Sequence, residues 1–329
     1  MTEQSQNNIK QALYVAILNK MAGELSELEA KEVLIVNSPA YITSKDHDHA
    51  DHIEELKNIS SQVRRDIVRM VHQIQSGHPG GSLGCTDFLV YLFFDLMKRK
   101  DSFDMNGLNE DLFFLSNGHI SPVFYSVLAR SGYFDIKELD SFRKLNSRLQ
   151  GHPATHEGLP GIRIASGSLG QGLSVAVGSA LAKKLNKEDN VVYVLMGDGE
   201  LQEGQIWEAM MYAAHNRVDN LIATIDFNGQ QIDGPVDEIN SLLNLKDKLK
   251  SFGWKVYECD GNDFGSLSST LVKARKNLFN GFPIINIMKT IMGKGVDFME
   301  NSHKWHGIPP NDEQLSEALA QLKETLGDY

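Results

Sequence analysis

Cysteine is scarce in this chain of 329 residues: only Cys85 and Cys259 occur, far apart and without metal-ligand spacing. That excludes a disulfide framework and a cysteine-based zinc site, and it suits a reducing cytoplasm. An excess of basic charge is missing too. Lys and Arg number 32 against 43 Asp and Glu, giving a net charge of −11, and the basic residues are scattered along the chain. No nucleic-acid footprint is expected from such a balance, so the expected partners are a small ligand and another protein. The longest early apolar stretch, 12–18, is short, has only Lys10 as a basic residue ahead of it and runs into Lys20 and Glu24. It fits neither a signal peptide nor a membrane span.

Apolar residues are not scarce. At 41 % hydrophobic, the chain can bury a sizeable core, as one large α/β domain with additions or as two smaller domains. From Ile53 the positions Leu56, Ile59, Val63, Ile67, Met70, Val71 and Ile74 recur at helical spacing, and Gly77 and Pro79 end the pattern. A second helix is expected over 87–97, which places Gly77 to Gly81 in a helix–helix loop. Strands are expected at 111–116, 191–196, 220–226, 254–259 and 284–290, with helices at 172–185 and 203–215 among the segments between them. Strands alternating with helices imply a largely parallel sheet flanked by helices, with any ligand site at the carboxyl ends of the strands. The first 52 residues read differently. Helical periodicity in the first part of 9–36 (Leu13, Ile17, Met21, Leu25, Leu28) is followed by the polar run 46–52, read as a solvated linker, so the division is an extension over 1–52 and a domain over 53–329.

Two of those strands end on hard oxygen ligands. Val191 to Met196 empties into Gly197-Asp198-Gly199, and Leu221 to Phe227 empties into Asn228, 30 positions after Asp198. A carboxylate and an amide carbonyl at the ends of neighbouring parallel strands can share Mg²⁺, which typically takes further oxygens from substrate phosphates. The helix expected to follow, 203–215, offers its N-terminus to that negative charge. Gly167-Ser168-Leu169-Gly170-Gln171-Gly172 does not meet the requirements of a dinucleotide-binding strand–turn–helix, and Met292-Gly293-Lys294-Gly295 is not a P-loop because no Ser or Thr follows the lysine. Of the eleven histidines, His78, His119, His152, His303 and His306 lie in loops beside or near Gly or Pro, where an imidazole can face a cleft and move protons near neutrality.

Taken together, these words resemble the transketolase family of thiamine diphosphate enzymes. Ser76-Gly77-His78-Pro79-Gly80-Gly81, Leu115-Ser116-Asn117-Gly118-His119, Gly151-His152-Pro153, the 167–172 loop and His303-Lys304-Trp305-His306-Gly307 occur in that family's order, over about 53–310. The resemblance implies the diphosphate-binding domain of the thiamine diphosphate fold, and an enzyme of carbohydrate metabolism such as the pentose phosphate pathway. Such an enzyme moves a two-carbon ketol unit from a ketose donor to an aldose acceptor, both commonly sugar phosphates. The implied metal ligands are Asp198, Asn228 and the backbone carbonyl of Gln230, holding Mg²⁺ or, in its place, Ca²⁺ or Mn²⁺. Gly199 would donate its N–H to the diphosphate, and Gly167, Ser168 and Leu169 would wrap the aminopyrimidine. Ser168 stands where many members have proline. His119 would lie against the cofactor, and His78, His152 and His306 would surround the donor's carbonyl and first hydroxyls, with His306 also near the diphosphate. Glu203 corresponds to a glutamate that links the two active sites of the dimer.

The same resemblance exposes a deficit. In the family, the carboxylate that activates the cofactor and the arginines that hold the sugar phosphate belong to a pyrimidine-binding domain, and only nineteen residues follow Pro310. The chain is therefore expected to be one half of a split enzyme, working with a separate pyrimidine-binding subunit, most simply in a heterotetramer. Alternatives are a transketolase-like enzyme for an unusual sugar, a deoxyxylulose-phosphate synthase relative, or a non-catalytic diphosphate-binding protein. The Gly77-His78-Pro79-Gly80 word favours transketolase over the synthase.

Overall fold

The computed structural model describes residues 49–100 and 102–329. By contacts the chain divides after Glu55, and the unit described below is Leu56–Tyr329. The periodicity expected over 9–36 and the start of the polar run at 46–48 lie outside the described residues. Its later part differs from the expected linker: helix α1 spans His49–Ile74, so His49 to His52 are helical. Asp51 in the first turn suits the positive end of the helix dipole. Along α1, Leu56, Val63, Ile67, Met70 and Val71 are buried, as their spacing requires.

The Gly77–Gly81 word is not wholly a loop. Pro79–Gly84 forms a short helix, α2, with Pro79 in its first turn, where a fixed φ and a missing N–H cost nothing. A side chain at Gly80 would meet the Trp305 backbone oxygen at 2.8 Å, so the glycine lets α2 pack directly on the loop that carries His306. The single helix expected at 87–97 is also divided. Helix α3 spans Thr86–Tyr91 and passes into a π turn over Leu92–Leu96, closed by Met97 N–H on the Leu92 carbonyl at 2.9 Å. Asp111 then captures the Lys98 N–H at 3.0 Å and takes the chain away from the helix.

Five parallel strands form the sheet: β1 Leu112–Leu115, β2 Val192–Gly197, β3 Leu221–Phe227, β4 Lys255–Asp260 and β5 Ile284–Lys289. Their spatial order is β1-β2-β3-β5-β4, with Gly197 in register with Asp226. Helices α4 Ser121–Arg130, α5 Gln171–Leu185, α6 Gly204–His215 and α7 Phe264–Lys276 lie in connections between strands, and α8 Asp312–Gln321 follows β5. Strand β2 shows why the layers form. Val192, Val194 and Met196 join Leu173 and Ala176 of α5 and Ile206 and Met210 of α6 in one core. Tyr193 points the other way, where its hydroxyl accepts from Arg275 of α7 at 2.7 Å while Arg275 pairs with Asp111 at 2.9 Å. Each fully buried aliphatic side chain in such a layer stabilises the fold by about 1.5–3 kcal/mol. Among the described residues, no helix is long and apolar enough to cross a membrane.

The carboxyl-terminal segment runs back along α1. Gln62 Oε1 accepts from the N–H groups of Thr325 and Leu326 at 2.9 and 3.0 Å, and Arg65 grips Asp328 through two bonds of 2.9 and 2.7 Å. Arg69 lies over the Tyr329 ring, 4.2 Å from its centroid.

Candidate active site

Because β2 and β3 are parallel neighbours in register, the residues that follow them emerge side by side at the same end of the sheet. Asp198 and Asn228 there line one cleft of about 210 Å³ with Gly199, Gln230, Leu169, His119, Glu203 and His306. Asp198 is 1 % exposed, and its carboxylate accepts from the N–H of Gly199 at 2.8 Å and of Gly229 at 2.6 Å. Burial, with the nearby charge of Asp226 adding to it, pushes its carboxyl up to about 7. The Gly199 N–H, expected to face a diphosphate, is thus engaged with Asp198 in this structure.

Asn228 is held at both ends of its amide. Nδ2 donates to Asp226 Oδ2 at 2.9 Å, and Oδ1 accepts from the Gln230 N–H at 2.9 Å. A flipped amide would set two donors against each other at Gln230, so the carbonyl assignment follows from the network. Asp226 is itself held by Thr290 Oγ1 and the Cys85 thiol, and burial raises its pKa.

The histidines gather beside this cleft. The His78 ring centroid lies 5.2 Å from that of His119, 5.6 Å from His306 and 6.1 Å from His152, and His119 stacks on His306 at 5.0 Å. Burial, then the charges of His306, Arg143 and His152, bring His78 down to about 4. Burial, followed by the neighbouring histidines, carries His119 well below its ordinary value. It also lowers His152, with Arg143 adding to it, and His306. Four imidazoles that stay neutral at pH 7 can both donate and accept, which suits hydroxyl and carbonyl recognition. His78 and His306 each keep a buried Nδ1 with no protein partner. His152 is the most open of the four, and His303 makes no ring contact with them among the described residues.

The glycine loop reaches the same place. A side chain on Gly167, whose φ is +144°, would meet the His152 ring at 2.9 Å, so glycine permits both the left-handed turn and the close pass. Leu169 reaches the cleft wall, whereas Ser168 is exposed beside it.

Sequence reading missed three residues that shape this cleft. Asn117 is 1 % exposed and lines the cleft, yet its amide oxygen has no partner. Asp226 orients Asn228. Glu200 is buried at 2 % exposure and accepts from three separate segments. Asn117 stood within a recognised word and Glu200 directly follows Gly199, but neither composition nor spacing distinguishes a buried polar side chain from a turn residue.

The donor set fits a hard dication and a diphosphate. A buried carboxylate, a fixed amide carbonyl, the unpartnered amide oxygen of Asn117 and the unpartnered Nδ1 of His306 line one cleft, a set of hard oxygens and one imidazole nitrogen suited to Mg²⁺ and a phosphate-bearing ligand. No group of three or more His, Cys, Asp or Glu among the described residues forms a metal cluster, so a cation here would depend on the amide, the backbone and the ligand's own oxygens.

Residues 56–327 match the family described as transketolase, thiamine diphosphate binding domain. An apulose-4-phosphate transketolase subunit of Phocaeicola vulgatus is 37 % identical over 279 residues, covering 83 % of this chain and 96 % of that protein. A 6-deoxy-6-sulfo-D-fructose transketolase subunit of a Clostridium species is 38 % identical over 270 residues, covering 82 % and 97 %. The crystal structure of transketolase from Campylobacter jejuni superposes with a TM-score of 0.76 at 34 % identity, covering 82 % of this chain but 43 % of that one. The chain thus spans less than half the length of that solved transketolase and nearly the full length of the two subunits. With the fold, the strand-end cleft and these matches in agreement, the chain belongs to the transketolase family, as its thiamine diphosphate binding domain.

Proposed function

We propose that this chain is the thiamine diphosphate-binding subunit of a two-chain transketolase, moving a two-carbon ketol unit from a ketose to an aldose. The observation that supports this most is the gathering of Asp198, Asn228, Gln230, His119 and His306 around one cleft at the carboxyl ends of β2 and β3. Asp198, Asn228 and the Gln230 carbonyl would hold Mg²⁺, with Ca²⁺ or Mn²⁺ as substitutes, and the Gly199 N–H would turn to the diphosphate. Thiamine diphosphate, when bound, supplies the carbanion chemistry. The protein's share is orientation and proton control. Gly167, Ser168 and Leu169 would embrace the aminopyrimidine, and His119 would pack on the cofactor. His78, His152 and His306, their pKa values lowered by burial, would bind the donor's carbonyl and hydroxyls, His78 and His306 through Nδ1 atoms that have no protein partner.

The partner would be a separate pyrimidine-binding subunit, in a cytoplasmic heterotetramer in which Glu203, exposed at the cleft rim, links two sites. Lengths support this reading, since the two relatives named as subunits are nearly spanned by this chain. Their names also favour an unusual ketose, phosphorylated or otherwise anionic, over the common pentose phosphates. The test is purification with the candidate partner, followed by a ketose-donor and aldose-acceptor screen with thiamine diphosphate and Mg²⁺. Ketol transfer by the mixture and not by either chain alone is expected. Cofactor binding without transfer in the mixture would favour a non-catalytic binding protein.

A further inference from the structure

Glu200 is a buried carboxylate that the sheet does not need. It is 2 % exposed, and no basic side chain among the described residues pairs with it, although burying an unpaired charge is costly. Its oxygens are satisfied by three donors from three parts of the chain. Oε1 accepts from the Ser116 hydroxyl and from the Gly170 N–H at 2.8 Å, and Oε2 accepts from the Gly197 N–H at 3.1 Å. Ser116 passes the connection on, because its Oγ accepts from the Gly172 N–H at 3.1 Å. Packing at this junction is close: a side chain on Gly172 would meet Ser116 Oγ at 2.5 Å.

Each of these donors adjoins a part of the cleft. Gly197 precedes Asp198. Ser116 precedes Asn117, whose amide oxygen is unpartnered, and lies three residues before His119. Gly170 and Gly172 close the loop begun at Gly167 and open α5. The short 3₁₀ turn over Gly199–Gln202 folds Glu200 back under all three. An apolar residue of similar volume would fill the same space without tying these segments to one another. The arrangement therefore serves registry between loops, a use for which buried polar groups are well attested.

We propose that Glu200 is a positioning residue that locks the 167–172 loop, the Ser116–His119 segment and the metal-bearing end of β2 into one cofactor-binding geometry. The structural part stands on hydrogen bonds alone, and the cofactor part rests on the function proposed above. Hydrogen exchange on the full ligand-free chain tests the first, and calorimetric titration with Mg²⁺–thiamine diphosphate tests the second. In Glu200→Ala, protection of the Gly170 and Gly172 amides is expected to fall roughly tenfold or more while β2 amides stay protected, and cofactor affinity is expected to fall roughly ten- to a hundredfold. In Glu200→Gln the effect should be smaller, since one oxygen is retained and the new NH₂ group opposes the N–H of Gly197. Ser116→Ala keeps the carboxylate and should free Gly172 while Gly170 stays protected, a check that holds even where Glu200→Ala folds poorly. Unchanged protection at Gly170 and Gly172 in the folded variants would overturn the lock. Freed loop amides with unchanged affinity would overturn the positioning role. Absence of thiamine diphosphate uptake by the wild-type chain mixed with its pyrimidine-binding partner overturns the cofactor reading itself, whereas affinity lost only in the variants leaves that reading standing.

Discussion

Single side chains set the shape of the cleft, and Asn228 shows how narrowly. Its amide is read in one direction by Asp226 and in the other by the Gln230 N–H, so the orientation of its oxygen is fixed by the chain itself. Asp198→Ala and Asn228→Ala should each abolish Mg²⁺-dependent retention of thiamine diphosphate, since each removes a hard oxygen ligand. Asp226→Ala should weaken it by roughly 10–100-fold, with the apparent cation affinity in calorimetry as the measure. Unchanged affinity in the first two would remove the metal assignment. His78 yields a prediction of a different kind. Its folded-state pKa of about 4 lies below the ordinary 6.5, so between those values the unfolded chain binds more protons than the folded one. Stability is then full above pH 6.5 and declines as the pH falls toward 4. The groups facing it share the effect: His119, His152 and His306 are also lowered, and Arg143 adds a fixed positive charge. The urea midpoint of the ligand-free chain should drop between pH 7 and pH 5, and His78→Asn should flatten that drop. An equal drop in the variant would mean that His78 is not a source of it.

At the level of elements, β1, β2, β3 and β5 were legible because buried parallel strands are short apolar runs bounded by turn residues, and each observed strand, the more exposed β4 included, lies within a residue or two of its expected bounds. Helix α1 was legible from its 3.6-residue period, and the cleft from two strand-end motifs brought together by pairing. Less visible was α2, since Pro79-Gly80-Gly81 reads as a turn while packing against Trp305 and Met292 makes it a helix. The attachment of 325–329 to α1 was invisible. It joins residues more than 260 apart through ordinary polar side chains, for which the sequence holds no periodic sign. Here a test is direct. Arg65, chiefly through hydrogen bonding, holds Asp328 down to about 2, below the usual carboxylate range. Its contribution is thus present above about pH 4 and lost as the pH falls through 2. Asp328 is partly open to solvent, so screening leaves on the order of 1 kcal/mol. Asp328→Asn should lower the thermal midpoint at pH 7, by less at pH 2, and expose the Thr325 amide to exchange. An unaltered midpoint at pH 7 would show that the segment rests on α1 without stabilising it.

For the whole molecule, the family's division of labour sets the expectation. If the activating carboxylate comes from a second subunit, the isolated chain with saturating thiamine diphosphate and Mg²⁺ should exchange the thiazolium C2 proton slowly, and adding the partner should accelerate it. Rapid exchange by the chain alone would place an activating carboxylate within these 329 residues. A half-enzyme that waits for a partner must also survive the wait, and the sheet order bears on this. The two edges of the sheet are unlike: β1 is buried along its whole length, whereas β4 leaves Lys255, Glu258 and Asp260 exposed. An unpaired edge is a template on which other chains can add strands, and charges of both signs along it oppose that growth. Lys246 closes on Glu258 and so covers part of the same edge. A net charge of −11 and this guarded strand both oppose edge-to-edge association, and replacing the charges of β4 by apolar residues should appear first as fibrillar aggregation of the lone chain, before any loss of ligand binding.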